Sequence, residues 1–176
     1  MKPFYVSALL LLGACQTVPP GAVSSPAADR DAVVELSRQW IEEGWSPGTD
    51  TQGFAFERDL ERFYTPVSGD GVFHDTNDPE LRIAHDARRY VGDFAPFVAQ
   101  QASLTNDRFE LEHIHLDGST AVVAFTADAV FETPEGEVAR VPHFYSLGWR
   151  KEGTGEGAQW RIFHEHGSSL APEGEP

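Results

Sequence analysis

Basic residues are scarce in this sequence, and their scarcity excludes partners that carry negative charge. The chain has 13 Lys and Arg against 28 Asp and Glu, which gives a formal net charge of -15. Nucleic acids and anionic lipid surfaces would repel such a chain, and no stripe of basic residues offsets the average. We therefore expect neither nucleic acid nor an anionic membrane surface as a partner.

The sequence also lacks the motifs of several enzyme classes. It has no G-x-S-x-G, no glycine-rich phosphate loop and no dinucleotide fingerprint, which argues against a serine hydrolase, an NTPase and a Rossmann oxidoreductase. No H-E-x-x-H, cysteine pair or EF-hand loop is present to hold a metal. We predict that the protein uses neither a cofactor nor a metal.

Long apolar runs are absent as well, apart from a short one at the N-terminus. The run from Phe4 to Leu12 is too short to span a bilayer as a helix. It follows the positive charge of Lys2 and leads to small residues before the only cysteine, Cys15. This segment resembles a bacterial lipoprotein signal, which implies cleavage before Cys15 and lipidation of that residue. An ordinary secretory signal with a stray cysteine is the alternative.

These features divide the chain into four parts. Residues 1–14 are the predicted signal, and residues 15–28, rich in Pro, Ala, Ser and Val, are expected to form a flexible tether. Residues 29–170 suffice for one domain, and residues 171–176 are predicted to be a disordered tail. The lipid would anchor the protein in the bacterial envelope, facing the periplasm. Gln16 after the cysteine favours the outer membrane, by analogy with enteric bacteria.

The first half of the domain has helical periodicity. Helices are predicted over about residues 29–45, 54–64 and 83–99. In the first, apolar side chains at helical spacing face inward: Val33, Leu36, Trp40 and Ile41. A short strand from Gly71 to Thr76 precedes the third helix, which Pro96 kinks or divides.

From Ala102 the apolar residues alternate, which predicts four antiparallel strands and an α+β fold. The last strand holds the most informative pattern. Trp160, Ile162, His164 and His166 lie two apart, so a regular strand places them on one face and Glu165 on the other. This face would present both apolar surface and imidazole to a ligand. A half-buried strand with two rim histidines is the alternative.

The run W-x-I-x-H-x-H-x-S from Trp160 to Ser168, preceded by a strand ending in Trp149-Arg150-Lys151, resembles the closing hairpin of SnoaL-like proteins in the nuclear transport factor 2-like superfamily. The resemblance extends more weakly over about residues 30–170. It implies a cone-shaped α+β barrel, with three N-terminal helices packed on a highly curved antiparallel sheet. It also implies a cavity at the wide end and a homodimer through the convex face of the sheet.

The resemblance also implies candidate site residues. Asp75, at the end of the short strand, would take a proton, His164 would donate or orient, and Tyr145 or Tyr64 would stabilise an enolate oxygen. An Asx turn is the alternative role for Asp75. The other candidate pocket residues are Trp40, Tyr64, Phe73, Ser146, Trp160, Ile162 and His166. A zinc site made of one H-x-H pair with Asp75 or His143 remains an alternative.

Two functions follow from these expectations. The first is an envelope lipoprotein whose pocket binds a small, partly apolar molecule. The alternative is an acid–base enzyme of the isomerase or cyclase type, which would act on a small carbonyl compound through Asp75 and His164.

Overall fold

A computed structural model describes residues 25–78 and 80–170 of the chain. The predicted signal, Cys15, most of the tether and the tail lie outside the described residues. Among the described residues, no helix is long and apolar enough to cross a membrane. The main elements are α1 (Pro26–Gln39), β1 (Val72–Asp75), α2 (Ala87–Val98), β2 (Ser103–Asp117), β3 (Thr120–Glu132), β4 (Val138–Glu152) and β5 (Gln159–Ser169).

Helix α1 begins at Pro26, three residues earlier than predicted. Proline suits the first turn of a helix because its missing N–H would have no partner there. The Ser25 hydroxyl caps the helix by accepting a hydrogen bond from the Ala28 N–H at 3.2 Å. The helix continues as a π-helical turn at Trp40–Gly44. The inward face is confirmed, because these predicted positions are buried: Val33, Trp40 and Ile41.

The second predicted helix, over residues 54–64, is wrong. Only a π-helical turn at Phe56–Leu60 forms, because the chain that follows pairs with β5 instead. The Ile162 N–H donates to the Phe63 carbonyl at 2.7 Å, and the Thr65 N–H donates to the Ile162 carbonyl at 2.9 Å. This pairing holds the segment in an extended conformation, so the described residues form two substantial helices rather than three.

The third predicted helix exists as α2, but it begins at Ala87 rather than Ile83. Ala84 pairs with Phe73 of β1 through both of its backbone groups, at 2.9 Å each. The Asp86 side chain then caps the helix by accepting from the Arg89 N–H. The residues before the cap are therefore part of the sheet edge rather than of the helix.

The strands form one sheet in the order β1-β5-β4-β3-β2. Strand β1 runs parallel to β5, and the other neighbouring pairs are antiparallel. The α+β class is confirmed, whereas the all-antiparallel sheet is wrong. Parallel pairing is possible because the long chain between β1 and β5 returns the last strand in the same direction. The sheet is not strongly curled and keeps two edges, β1 and β2, so it does not close into the predicted cone.

Both helices pack on one face of the sheet, which we call the inner face. This face carries Val123, Phe125, Leu147 and Trp149, which join residues of α1 and α2 in the core. The Trp149 indole N–H donates to the Ser37 hydroxyl at 3.0 Å, and Ser37 donates to the Val33 carbonyl at 2.9 Å. These bonds tie α1 to the sheet and satisfy the buried polar groups between them.

Candidate functional site

A cavity of about 510 Å³ lies between the inner face of the sheet and the helices. Much of its wall is aromatic: Trp40, Trp45, Tyr90, Phe94, Phe97, Phe131 and Tyr145. Polar side chains face the same space, among them Asp75, Asn77, His143 and Glu165. A volume of this size, with apolar walls and a few polar groups, is typical of small-molecule pockets.

A β-bulge in β5 decides which of its side chains reach this cavity. Gly148 of β4 pairs with His164, and the next residue, Trp149, pairs with Ile162. Phe163 is therefore the extra residue of the bulge and has no partner on β4. Alternation restarts after it, so the inward positions change from Trp160 and Ile162 to Glu165 and Gly167.

Gly148 is what allows the strands to approach at the bulge. A Cβ atom at this position would lie 2.9 Å from the His164 Cβ and 3.2 Å from the Phe163 ring. Any larger residue would therefore force the two strands apart. A glycine inside a strand is the sequence signal of such a bulge, and this one lies in the strand that pairs with the histidine motif.

The bulge turns Glu165 inward, where its carboxyl group is almost completely buried. The Tyr64 hydroxyl donates to Glu165 Oε2 at 2.5 Å, and the Tyr90 hydroxyl donates to Oε1 at 2.7 Å. The indole N–H of Trp40 donates to the Tyr64 hydroxyl at 3.0 Å. Both carboxyl oxygens thus have a donor, but neither has a cationic partner among the described residues.

The pKa of Glu165 is raised to about 8, chiefly by burial and to a smaller extent by the negative charge of Asp75. The hydrogen bonds from Tyr64 and Tyr90 oppose this rise, because they stabilise the ionised form. Burial also raises the pKa values of Tyr64, Tyr90 and Tyr145. The three phenols are therefore neutral at physiological pH, and Glu165 is the group that titrates near it.

Asp75 organises a second polar group beside Glu165. Its Oδ1 accepts from both the backbone N–H and the side-chain amide of Asn77, each at 2.7 Å. The amide of Asn77 also lies 2.9 Å from His143 Nε2. One oxygen of Asp75 thus makes the Asx turn that the sequence suggested as an alternative. The other, Oδ2, lies against Gly167 and has no hydrogen-bond donor among the described residues.

Arg82 and two carboxylates form an ion cluster in the cavity wall. Arg82 Nε donates to Asp78 Oδ2 at 2.8 Å, and its Nη1 lies 3.6 Å from Asp93. The guanidinium lowers the pKa of Asp78 to about 2, with help from the backbone N–H groups of Glu80 and Arg82. Asp78 therefore stays ionised, and the charge of Arg82 is compensated within the cluster.

The candidate residues predicted from sequence fall into three places. Trp40, Asp75 and Tyr145 line the cavity. The buried side chains of Tyr64, Phe73, Trp160 and Ile162 lie in the core, where Tyr64 supports Glu165. The opposite, outer face of the sheet carries the last three: Ser146, His164 and His166.

The prediction that His164 and His166 share a face with Ile162 is wrong, because it assumed strict alternation through β5. The bulge at Phe163 sends both histidines to the outer face, where the His166 ring lies 5.6 Å from the His74 ring. Burial lowers the pKa of His164, and the neighbouring His166 lowers it further. Sequence reasoning thus missed Glu165, and Gly148 was the signal that could have found it.

The alternative zinc site was a pair of histidines two apart with Asp75 or His143. His143 faces the cavity, whereas His113 and His115 lie on the edge strand β2, three strands from β5. In the part of the chain that the structure describes, no three His, Cys, Asp or Glu side chains are arranged to hold a metal ion.

Comparison with known proteins identifies the fold. No family model matches the sequence, and no curated protein matches it. A solved NTF2-like superfamily protein from Salmonella enterica is similar, with a TM-score of 0.63 and 16% identity over 85% of this chain and 96% of that one.

Two further solved structures are similar over comparable lengths. An NTF2-like family protein from Streptomyces avermitilis has a TM-score of 0.59 and 16% identity, over 84% of this chain and 100% of that one. The CaMKII hub of S. rosetta has a TM-score of 0.59 and 14% identity, over 85% and 100%. The chain therefore has the nuclear transport factor 2-like fold.

Proposed function

We propose that this protein is a SnoaL-like envelope lipoprotein whose cavity binds a small, partly apolar molecule. The observation that carries this proposal is the aromatic cavity of about 510 Å³, with buried polar groups in its wall. Apolar walls would bury the body of a ligand, and a few fixed polar groups would orient it. The hairpin pattern from Trp160 to Ser168 supports the SnoaL-like assignment.

The test is native mass spectrometry of the protein isolated from the cell envelope. We expect a bound molecule of low mass in the wild-type protein and its loss in Ala129→Phe, because Ala129 lines the cavity and the larger ring would fill it. Val130→Phe is the matched control, since Val130 is the next residue of β3 and faces the outer side. A bound molecule that persists in Ala129→Phe would contradict the proposal, as would its absence from the wild-type protein.

Acid–base catalysis is a second candidate, and Glu165 is the observation that favours it. A carboxyl group with a pKa of about 8, in the same cavity as Asp75 and the Tyr145 hydroxyl, is suited to move a proton near neutral pH. In this scheme Glu165 takes the role that the sequence assigned to His164.

Incubation with 2-tetralone in D₂O distinguishes the candidates. An enzyme should speed α-deuteration, and Glu165→Gln should abolish the gain, whereas a binding protein leaves the rate unchanged.

The envelope location rests on the first fifteen residues. The apolar run before Cys15 and the small residues beside it support a lipid anchor at that cysteine. Cys15→Ser should therefore move the protein from the membrane fraction to the soluble fraction of the cell. A protein that fractionates in the same way with and without Cys15 would contradict the anchor.

We also propose a homodimer through the outer face of the sheet. In the described chain both helices pack on the inner face, and the outer face leaves Val122 40% exposed. Contact between two such faces would bury this apolar surface. Light scattering of the released Cys15→Ser protein gives its molar mass, and the mass of a single chain would exclude the dimer.

A further inference from the structure

The cavity has more negative than positive charge. Of the described residues, four carboxyl groups line it against a single basic side chain: Asp75, Asp78, Asp93 and Glu165 against Arg82. Arg82 is paired with Asp78 and Asp93. Asp75 and Glu165, both buried, form no ion pair with any described residue. Buried carboxyl groups usually have a cationic partner when they are ionised, and for these two the described chain supplies none.

His143 does not supply the missing positive charge. The hydrogen bonds to Asp75 Oδ1 fix the orientation of the Asn77 amide, because only its N–H groups can donate to a carboxylate. The same amide therefore donates to His143 Nε2. The other ring nitrogen, Nδ1, donates to the Val141 carbonyl at 2.9 Å. A ring that accepts at one nitrogen and donates at the other is the neutral imidazole.

A separate observation also suggests a ligand at this place. Tyr145 is 8% exposed and lines the cavity, but its hydroxyl has no hydrogen-bond partner among the described residues. This hydroxyl is not among the fully enclosed unpaired atoms of the described residues, so it opens to the cavity, where a ligand can pair with it. Tyr145 is paired with Gly167 across the strands, and Gly167 is also the partner of Asp75. The Tyr145 ring and Asp75 Oδ2 thus both lie against Gly167, on the same face of the sheet.

The aromatic wall suits a positive charge as well as an apolar body. Trp45 lies 6.1 Å from Phe94 and 6.3 Å from Tyr90 between ring centroids, and Trp40 lies 5.3 Å from Tyr145. The faces of such rings attract cations, Trp most strongly. A ligand that combined an ammonium group with an apolar body would therefore use both parts of the lining.

We propose that the ligand is a small organic amine, bound as a cation, with its ammonium group between Asp75, Glu165 and the Tyr145 hydroxyl. The proposal rests on the binding function proposed above and names its ligand class. Asp75 and Glu165 are diagonal neighbours on parallel strands, because Glu165 pairs with Phe73, two residues before Asp75. An anionic ligand would be repelled by the negative charge of Asp75 and would oppose the ionisation of Glu165. A neutral ligand would leave Asp75 without a cationic partner.

This arrangement makes binding depend on pH. The titratable groups that face Glu165 are Tyr64, Tyr90 and Tyr145, whose pKa values burial raises, and Asp75. Arg82 remains charged, because its pairing with Asp78 raises its pKa. Glu165, with a pKa of about 8, ionises between pH 7 and pH 9. A bound cation favours its ionised form, so an amine should bind more tightly as pH rises and should displace a proton.

The test compares three indole compounds that differ in charge: tryptamine, tryptophol and indole-3-acetate. Their affinities are measured by calorimetry on the full-length protein in lipid nanodiscs, with empty nanodiscs subtracted. At about pH 7.5 we expect tryptamine to bind at least tenfold more tightly than tryptophol, and indole-3-acetate to bind most weakly. The affinity for tryptamine should rise about tenfold between pH 7 and pH 9, as a group with a pKa of about 8 ionises. Glu165→Gln should abolish that rise, and Asp75→Asn should reduce the preference for the amine.

The outcomes separate this inference from the proposed function. If tryptophol or indole-3-acetate binds as tightly as tryptamine, and Ala129→Phe abolishes that binding, the cavity binds ligands but the amine proposal is wrong. If none of the three compounds shows binding that is lost in Ala129→Phe, both proposals lose their support. Equal pH dependence in the wild-type protein and Glu165→Gln would exclude Glu165 as the partner of the cation.

Discussion

As pH rises from 4.5 to about 8, the free energy of unfolding is expected to fall in the wild-type protein and to fall less in the Glu165→Gln variant. In the unfolded chain this glutamate ionises near 4.5, whereas in the folded protein burial holds its pKa at about 8. Between these values the folded state binds one more proton than the unfolded state, so the free energy of unfolding falls as pH rises. The fall begins at the unfolded pKa and levels off above the folded one.

The expected size of this effect is large for one side chain. Each pKa unit corresponds to about 1.4 kcal/mol, so the full change between 4.5 and about 8 is on the order of 5 kcal/mol. Glutamine is close in shape and cannot ionise, so the variant lacks this term. Below pH 5 the wild-type protein should be the more stable of the two, and the difference should shrink or reverse above pH 8.

The measurement is urea unfolding of both proteins at half-unit steps from pH 4.5 to 9. The difference between them cancels the contributions of other groups, including His164, whose lowered pKa affects both proteins alike. Glu112→Gln, at an exposed glutamate of β2, is the matched control and should follow the wild-type curve. A difference between wild type and Glu165→Gln that stays constant over this range would mean that Glu165 titrates normally.

Hydrophobic periodicity predicted the parts of the fold that depend on local pattern. The inward face of α1 and the long strands β3 and β4 follow directly from the spacing of apolar residues. The segment around Phe63 has a helical pattern too, yet it pairs with Ile162 about a hundred positions later. Such long-range pairing overrides the local preference for a helix, and no feature of the segment's own sequence indicates it.

The candidate site was predictable on one side of the cavity and not on the other. Asp75 and Tyr145 lie on strands that keep strict alternation, and both face the cavity. On β5 a single unpaired residue, Phe163, reverses the facing of everything after it. The histidines that dominate the sequence pattern therefore face outward, and Glu165 faces inward. One glycine, Gly148, allows this change, so the composition of the partner strand matters more than the histidine motif itself.

Gly167→Ala is expected to destabilise the protein by about 3 kcal/mol, the upper part of the usual range for overpacking a core. A Cβ atom at Gly167 would overlap Asp75 Oδ2 and would lie 3.0 Å from Asp75 Cγ and 3.1 Å from Tyr145 Cε1. Neither neighbour can move freely, because Asp75 is held by Asn77 and Tyr145 is packed against Trp40. The substitution should therefore also disturb the cavity and weaken ligand binding.

The matched control is Gly92→Ala, the same chemical change in the middle of α2. A Cβ atom there would meet nothing within 4 Å, so the gain in helix propensity should stabilise the protein by roughly 0.5–1 kcal/mol. Both variants are compared with the wild-type protein by urea unfolding. Asp75→Ala combined with Gly167→Ala should recover part of the loss, because it removes the atoms that the new methyl group meets. If Gly167→Ala were as well tolerated as Gly92→Ala, the Asp75 carboxylate would not lie against β5, and its place beside Glu165 would have to be abandoned.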